Sequence, residues 1–418
     1  MLKVREKMKK PELLAPVNDF ATLKAACDAG ADAVYFGIKG SNMRAAKHGG
    51  GFVFRDLPAI AKFNVKKYLT LNGIMYDKEL EFVRRAIEES KNYVDGYICW
   101  DMAVLGIALE MGVEVHLSTQ ASVANSAAAK FYKNIGVKRI VPARELSLEQ
   151  IRKIKEDVDG LELETFVHGS MCMAISGRCF LSQDVFKQTA NKGKCLNVCR
   201  REYIIKDKRE GFEMVLGEDY ILNAKDLCAL PFIDKLIDVG IDGFKIEGRS
   251  KKAEYVKIVT SCYRKAIDAY FDGNFNKELV DGLMEELKFV YNRGFSSGFY
   301  LGMPTSDDYS HEEGSVASRE KIDAGRVVHY YGKNNVAVIE VTAAPLKKGD
   351  RILVIGNKTG AVDFIIDGMQ VQHKDVDSVE KGVVGVKSPY ILRVNDKVYL
   401  WKDKGHLRLP YKPPAATN

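Results

Sequence analysis

Between Pro11 and Gly248 short runs of apolar and β-branched residues alternate with amphipathic helical stretches. The runs are ELLAP, AVYFG, KYLTLN, GYICW, EVHLST, RIVPA, ELETFVHG and GFKIEG. Strands separated by helices cannot pair through tight hairpins, so the pattern selects parallel βαβ units. Eight such units are what a (β/α)₈ barrel needs to close. The other architecture open to the pattern is a doubly wound open sheet. The barrel is favoured because polar residues recur just past the runs: Asn72, Ser118 to Gln120, Arg144, His168, and Glu247 with Arg249. In a barrel all of these gather at the C-terminal mouth.

At 418 residues the chain is long enough for two or three domains. The reading is an α/β barrel of TIM type over residues 1–250, with a cysteine-rich insertion at 169–228 in place of a short βα loop. A helical extension packed on the barrel follows at 251–305, then a linker rich in Gly, Ser and acidic residues at 306–322. Close-spaced short strands predict a small all-β barrel domain at 323–405, and residues 406–418 read as a disordered tail. Insertions of more than fifty residues inside a compact domain are usually functional. Here the insertion spans the gap between VHG and a helix expected to start near Leu227, with a β-hairpin expected in YIIKDKREGFEMVLGEDY.

That insertion carries Cys172, Cys179, Cys195 and Cys199, with Cys228 following in LNAKDLC; the other three of the eight cysteines stand alone. No apolar run approaches the roughly 20 residues that span a bilayer, and the N-terminus lacks the apolar stretch of a secretory signal. A cytoplasmic protein with no membrane segment is expected, and in that compartment clustered cysteines point to metal or catalysis, not disulfides. Six, fifteen and three residues separate the four clustered cysteines in turn, which matches neither the paired C-x₂-C of zinc ribbons nor ferredoxin spacings. Thiolates suit a [4Fe–4S] cluster, and a structural zinc ion remains the alternative. Ser176, Gly177 and Gly193 let backbone N–H groups approach an anionic centre, and Arg178, Arg200 and Arg201 supply positive charge.

The machinery of common proteases is missing: there is no HExxH helix and no G-x-S-x-G elbow. His168 and Cys172 are close enough in sequence to pair as base and nucleophile, although His168 at a strand end also reads as a cap. The net charge of +7 is compatible with RNA. Arg200, Arg201 and the run Lys206 to Arg209, with Tyr203 among them, read either as a phosphate-holding and base-stacking surface or as a solvated face.

The run ETFVHGSMCMAISGRCFLS, with GKCLNVCRREY, LNAKDLC and GFKIEGR, resembles the collagenase-like peptidase family U-32. The resemblance extends from ELLAPVNDFATLKAACDAGADAVYFG to SGFYLGMP, about 300 residues. It implies more than proteolysis, because the family includes prephenate-dependent tRNA uridine hydroxylation proteins, a ribosomal RNA cytidine hydroxylase and paired proteins of oxygen-independent ubiquinone hydroxylation. It implies a [4Fe–4S] cluster on Cys172, Cys179 and Cys195, with Cys199 as fourth ligand in the tRNA branch and Cys228 in the ubiquinone branch. The resulting expectation is an iron–sulfur, oxygen-independent hydroxylase forming 5-hydroxyuridine at the wobble position of tRNA, with prephenate or a similar small acid as hydroxyl donor. The alternatives are a collagenase-like protease, metal- or thiol-dependent, and hydroxylation of rRNA or in the ubiquinone pathway. A partner subunit of the same family is a further expectation. A dicarboxylate donor calls for guanidinium clamps, for which Arg144 and Arg249 are candidates. His168, Glu247 and Arg249 are the candidate catalytic residues. Arg144, Gln120, Asn72, Arg200 and Tyr203 are the candidate substrate contacts.

Overall fold

The computed structural model describes residues 9–39, 51–201, 204–206, 213–215, 222–310, 312 and 314–404. Eight parallel strands form the barrel: β1 Glu12–Pro16, β2 Ala33–Phe36, β3 Lys66–Thr70, β4 Gly96–Cys99, β5 Val115–Leu117, β6 Arg139–Ile140, β7 Glu162–Ser170 and β8 Gly243–Ile246. Each pairs with the next, and β8 pairs with both β7 and β1, so the sheet is closed. Every residue of β2, β4 and β8 is buried, as expected where helices cover one face and the lumen the other.

The outer helices start where the sequence offers a cap. The Asp19 carboxylate accepts from Thr22 N at 2.7 Å while Thr22 Oγ1 accepts from Asp19 N at 3.0 Å, which fixes the start of helix Phe20–Asp28. Ser147 and Gln150 form the same reciprocal pair ahead of Leu148–Asp157. The helix Ala253–Phe271, expected as the start of a flank extension, packs against Phe20–Asp28 and β1. It is the eighth barrel helix, since the chain leaving β8 must return along the outside to complete the layer.

The barrel lumen is charged. Arg139 is almost fully buried and donates to Glu12 at 2.7 Å, Glu162 at 2.6 Å and Glu164 at 3.1 Å. On the next strand Lys245 reaches the other oxygen of Glu164. A chain of compensated charges thus runs from the N-terminal ends of the strands toward the mouth, where it carries the floor of the site.

The insertion folds over that mouth through a short helix, Leu181–Phe186, and tight turns at Ala190–Lys192 and Val198–Arg200. The expected hairpin is present where described, with Ile204–Lys206 antiparallel to Glu213–Val215. The helix expected near Leu227 is instead a strand, Asp226–Cys228, lying antiparallel on the end of β7. β7 overruns its barrel neighbours and offers an unpaired edge, which Leu227 and Cys228 cover by pairing with Gly169 and His168. The helix itself, Ile233–Asp238, begins only after the turn Leu230–Phe232, where Pro231 suits the first helical positions.

The described residues fall into two compact units: one holds residues up to 287 with 291–316 and 355–362, the other 288–290, 317–354 and 363 onward. The C-terminal region is all-β and antiparallel. Its first strand, Arg319–Tyr331, begins inside the stretch read as a linker and pairs with both Val336–Val341 and Lys397–Asp403. The tail at 406–418 lies outside the described residues. Among the described residues no helix is long and apolar enough to cross a membrane.

Candidate active site at the barrel mouth

The ends of seven strands, β2 to β8, surround one small cavity of about 60 Å³. Asn72, Gln120, Arg144, Glu247 and Arg249 all line it, as their positions just past strand ends predict, and Cys172 and Ser176 of the insertion close it from above. Ser118 and Thr119 line it too, and Tyr35, Thr70, Ile98, Phe166 and Lys245 complete the wall. These last five were not picked out from sequence. Lys245 and Glu164 did carry a signal, since each is a charged residue in the middle of a strand buried on both faces, and such charges are almost never buried unpaired.

Three cations stand on two aromatic rings. Lys245 Nζ lies 4.6 Å from the Tyr35 centroid and 5.6 Å from that of Phe166. The Arg249 guanidinium lies 5.7 Å from the Tyr35 ring, and that of Arg144 lies 4.6 Å from Phe166. Arg249 also donates to Thr70 Oγ1 at 2.7 Å, and Arg144 to the Ser170 carbonyl at 3.0 Å. Burial pushes the Lys245 ammonium down from its ordinary pKa, and Glu164 opposes that shift while Arg249 and Arg139 add to it. Burial would raise the Glu164 carboxyl, but Lys245, Arg139 and His116 outweigh it and hold the group below the usual carboxylate range. The Lys245 charge is therefore balanced from below, leaving Arg144 and Arg249 against Glu247 around the cavity. That excess of positive charge suits an anionic ligand.

Neighbouring contacts fix the rim. Ser118 donates to the Gln120 side chain, and Thr119 Oγ1 donates to Pro142 O at 2.9 Å. Arg178 from the insertion lies 4.8 Å from the Trp100 ring and donates to Gln120 O at 3.4 Å, while Trp100 Nε1 donates to Asn72 O at 2.9 Å. The insertion is thereby pinned to two strand ends.

His168 does not reach the cavity. Lys245 pairs with Phe166 and Ile246 with His168, so β7 carries one extra residue, Val167. This bulge turns His168 onto the face that Ile246 presents to the helices. Its ring is buried among Tyr255, Tyr263 and Phe295, 5.6 to 6.0 Å between centroids. The expectation of a catalytic imidazole, or of a His168–Cys172 pair, is corrected accordingly. The following residue, Gly169, has φ +107°, and a Cβ there would lie 2.6 Å from Glu247 O. Only glycine allows β7 to come this close to the residue that lines the pocket.

The five candidate cysteines separate into four and one. Cys228 follows the same face as its pairing partner His168 and is buried, with its sulfur 3.7 Å from both Tyr263 Oη and Met284 Sδ. Burial pushes that thiol up to about 11. Cys199 instead senses the thiols of Cys172, Cys195 and Cys179; burial raises its pKa most, those three add to the rise, and Arg200 opposes it. Backbone N–H groups already point at two of the sulfurs, from Leu181 to Cys179 and from Asn197 to Cys195, each at 3.4 Å. Among the described residues no three His, Cys, Asp or Glu side chains stand at metal-ligand spacing. The quartet is linked through Cys199, whose thiol the other three sulfurs influence. Its all-thiol donors and inward N–H groups fit an anionic iron–sulfur cluster, and a thiolate-bound zinc ion as well.

Arg200, expected at the substrate, is committed elsewhere. Its guanidinium donates to the Met171 carbonyl, to Ala224 O at 2.7 Å and to Asn223 Oδ1 at 3.1 Å. It ties the departing and returning ends of the insertion together beside Cys199. Tyr203 lies outside the described residues.

Residues 18–310 match the model of Peptidase family U32. An uncharacterized protease of Methanocaldococcus jannaschii is 44% identical over 94% of this chain and 98% of its own length. A collagenase of Porphyromonas gingivalis is 38% identical over 93% of this chain and 97% of its own. A tRNA hydroxylation protein, P1, of Bacillus subtilis is 35% identical over 86% and 87%.

Proposed function

Because the chain belongs to peptidase family U32, we propose that it is a cytoplasmic RNA-modifying hydroxylase that introduces a hydroxyl group on the wobble uridine of tRNA. In this reading Cys172, Cys179, Cys195 and Cys199 hold a [4Fe–4S] cluster, and the mouth pocket takes the carboxylates of a small-acid hydroxyl donor such as prephenate. The observation that carries the reading is the convergence of Arg144, Lys245 and Arg249 on one cavity that has Cys172 in its wall. The relative named a tRNA hydroxylation protein supports the reaction class.

A bound cluster would supply one-electron chemistry or a Lewis-acidic iron at the rim. The chain's own residues do the rest. Arg144 and Arg249 clamp carboxylate oxygens, while Lys245, anchored by Glu164, sets a fixed positive charge at the floor. Tyr35 and Phe166 keep water from the cations and give an apolar ring a surface to lie on. Among the described residues Glu247 is the only carboxylate in the cavity wall, placed to orient a guanidinium or to exchange a proton with the donor's hydroxyl. A whole drug-sized ligand needs about 300 Å³ or more. With about 60 Å³ open, the cavity must widen to admit the whole donor.

The relatives named protease and collagenase keep a second reading in view. A thiol protease would need a base beside Cys172, and His168 is turned away from it. The deciding experiment pairs anaerobic purification and iron analysis with mass spectrometry of tRNA and rRNA nucleosides from cells with and without the gene. The expected result is about four iron atoms per chain, absorption near 400 nm, and loss of 5-hydroxyuridine derivatives in the deletion strain. Unchanged tRNA hydroxylation would overturn the reading, and loss of a hydroxylated rRNA base would move the substrate to the ribosome. Gelatin cleavage abolished by Cys172→Ala would favour the protease.

A further inference from the structure

The insertion has two faces with different chemistry. Cys172 and Ser176 point into the mouth cavity, while between and beyond them Met173, Ile175 and Phe180 are turned to solvent, at 40%, 49% and 72% exposure. Phe180 directly follows Cys179. The same stretch is strongly basic. From Met171 to Arg201 six basic residues face one acidic residue, Asp184, so the segment supplies five of the chain's seven net positive charges.

Those six cations are not equivalent. Arg178, Lys192 and Arg200 are engaged within the protein: Arg178 with Trp100 and Gln120, Lys192 with Glu79 at 2.6 Å, and Arg200 with three backbone and side-chain oxygens. Lys187, Lys194 and Arg201 are exposed, as Arg178 is, and Lys187 also donates to Asp184 O at 3.2 Å. Arg201 is aligned over the Phe186 ring at 4.5 Å, which holds its charge at the surface. An aromatic ring left in water next to Cys179, together with the exposed cations Lys187, Lys194 and Arg201, is the chemistry of a single-stranded nucleic-acid surface. It does not suit a protein partner, which would want a broad apolar core depleted of lysine.

Resting on the RNA reading above, we infer that the outward face of the cysteine insertion is the RNA-docking surface. Phe180 is the platform on which a base next to the target stacks, and Lys187, Lys194 and Arg201 are its phosphate contacts. Chemistry on a base at the barrel mouth requires that base to be splayed out of its strand. Its neighbours then need a replacement stacking partner, which the exposed ring of Phe180, next to Cys179, offers.

The two halves of the surface leave different signatures in one measurement, the binding of a labelled anticodon stem–loop RNA to the full-length protein by fluorescence anisotropy across a salt series. Phe180→Ala is expected to weaken binding about tenfold with the salt slope unchanged, and Phe180→Trp to retain it. The triple variant Lys187→Gln, Lys194→Gln, Arg201→Gln is expected to reduce the slope of log K against log salt by about 2, from roughly 0.7 per phosphate contact. Wild-type binding that Phe180→Ala leaves intact overturns this inference alone. A Phe180→Ala effect that appears in the oligomeric state and not in RNA affinity also overturns it, assigning the ring to a second copy of the chain. No RNA binding by the wild-type protein overturns the RNA reading and this surface with it.

Discussion

Lys245 donates to Glu164 across 2.7 Å inside the barrel, and both side chains are buried. Glu164 is shared with Arg139, which also holds Glu12 and Glu162. The cation at the floor of the pocket is thus the upper end of a charge chain that begins at the opposite face of the barrel. Stability and ligand binding meet in this one pair.

Removing one partner leaves a buried charge with less compensation, which typically costs about 3–5 kcal/mol. Lys245→Met is therefore expected to lower unfolding stability by roughly that amount, and Lys245→Met with Glu164→Gln to recover most of it. Neither variant is expected to bind a small dicarboxylate as the wild type does. Urea unfolding and thermal shift with prephenate read the two effects separately. Additive losses in the double variant would show that the pair is not coupled.

The split of the cysteines makes a sharper test. Serine at Cys172, Cys179, Cys195 or Cys199 is expected to abolish or strongly reduce bound iron and its absorption. Cys228→Ser should keep the metal, because that sulfur lies against Tyr263 and Met284. Metal analysis of the five variants decides it, and loss of iron in Cys228→Ser would place the fourth ligand there instead.

Arg200 is expected to act through the loop ends it joins. Arg200→Ala should leave the barrel folded, by circular dichroism, while iron content falls and tryptic cleavage within 171–201 increases. Arg200→Lys, with one donor group in place of a fork, should give an intermediate phenotype. Full iron loading with an unshifted cluster spectrum in Arg200→Ala would reduce the residue to a surface-level staple.

How much of this was legible beforehand follows from what each feature depends on. Parallel strands need crossovers and bury both faces, so ELLAP to GFKIEG could be read as eight barrel strands from composition and spacing. Position past a strand end sets direction, so Asn72, Gln120, Arg144, Glu247 and Arg249 were legible as one group. His168 was not, because its direction depends on a one-residue bulge at Val167 that leaves no mark in the residue pattern. Cys228 depends in the same way on which edge its strand covers. Lys245 and Glu164 were readable in principle, as opposite charges within two adjacent buried strands, but pairing them required the closure of β8 on β7.

His168 also gives the protein a defined acid sensitivity. Burial, helped by Lys251 and opposed by Glu247, lowers its pKa from the ordinary 6.5 to about 3. Between those values the unfolded chain binds the proton and the native protein does not, so stability falls as pH drops through the window and is flat above it. The slope is at most about 1.4 kcal/mol per pH unit for one group. The urea midpoint of the wild type should therefore decline from about pH 6 to pH 4 more steeply than that of His168→Phe, which keeps an aromatic ring in the cluster of Tyr255, Tyr263 and Phe295. Carboxylate titration is common to both proteins and cancels in the difference. Parallel profiles would mean that His168 protonates in the native state as readily as in the unfolded chain, and that its burial does not exclude the charged ring.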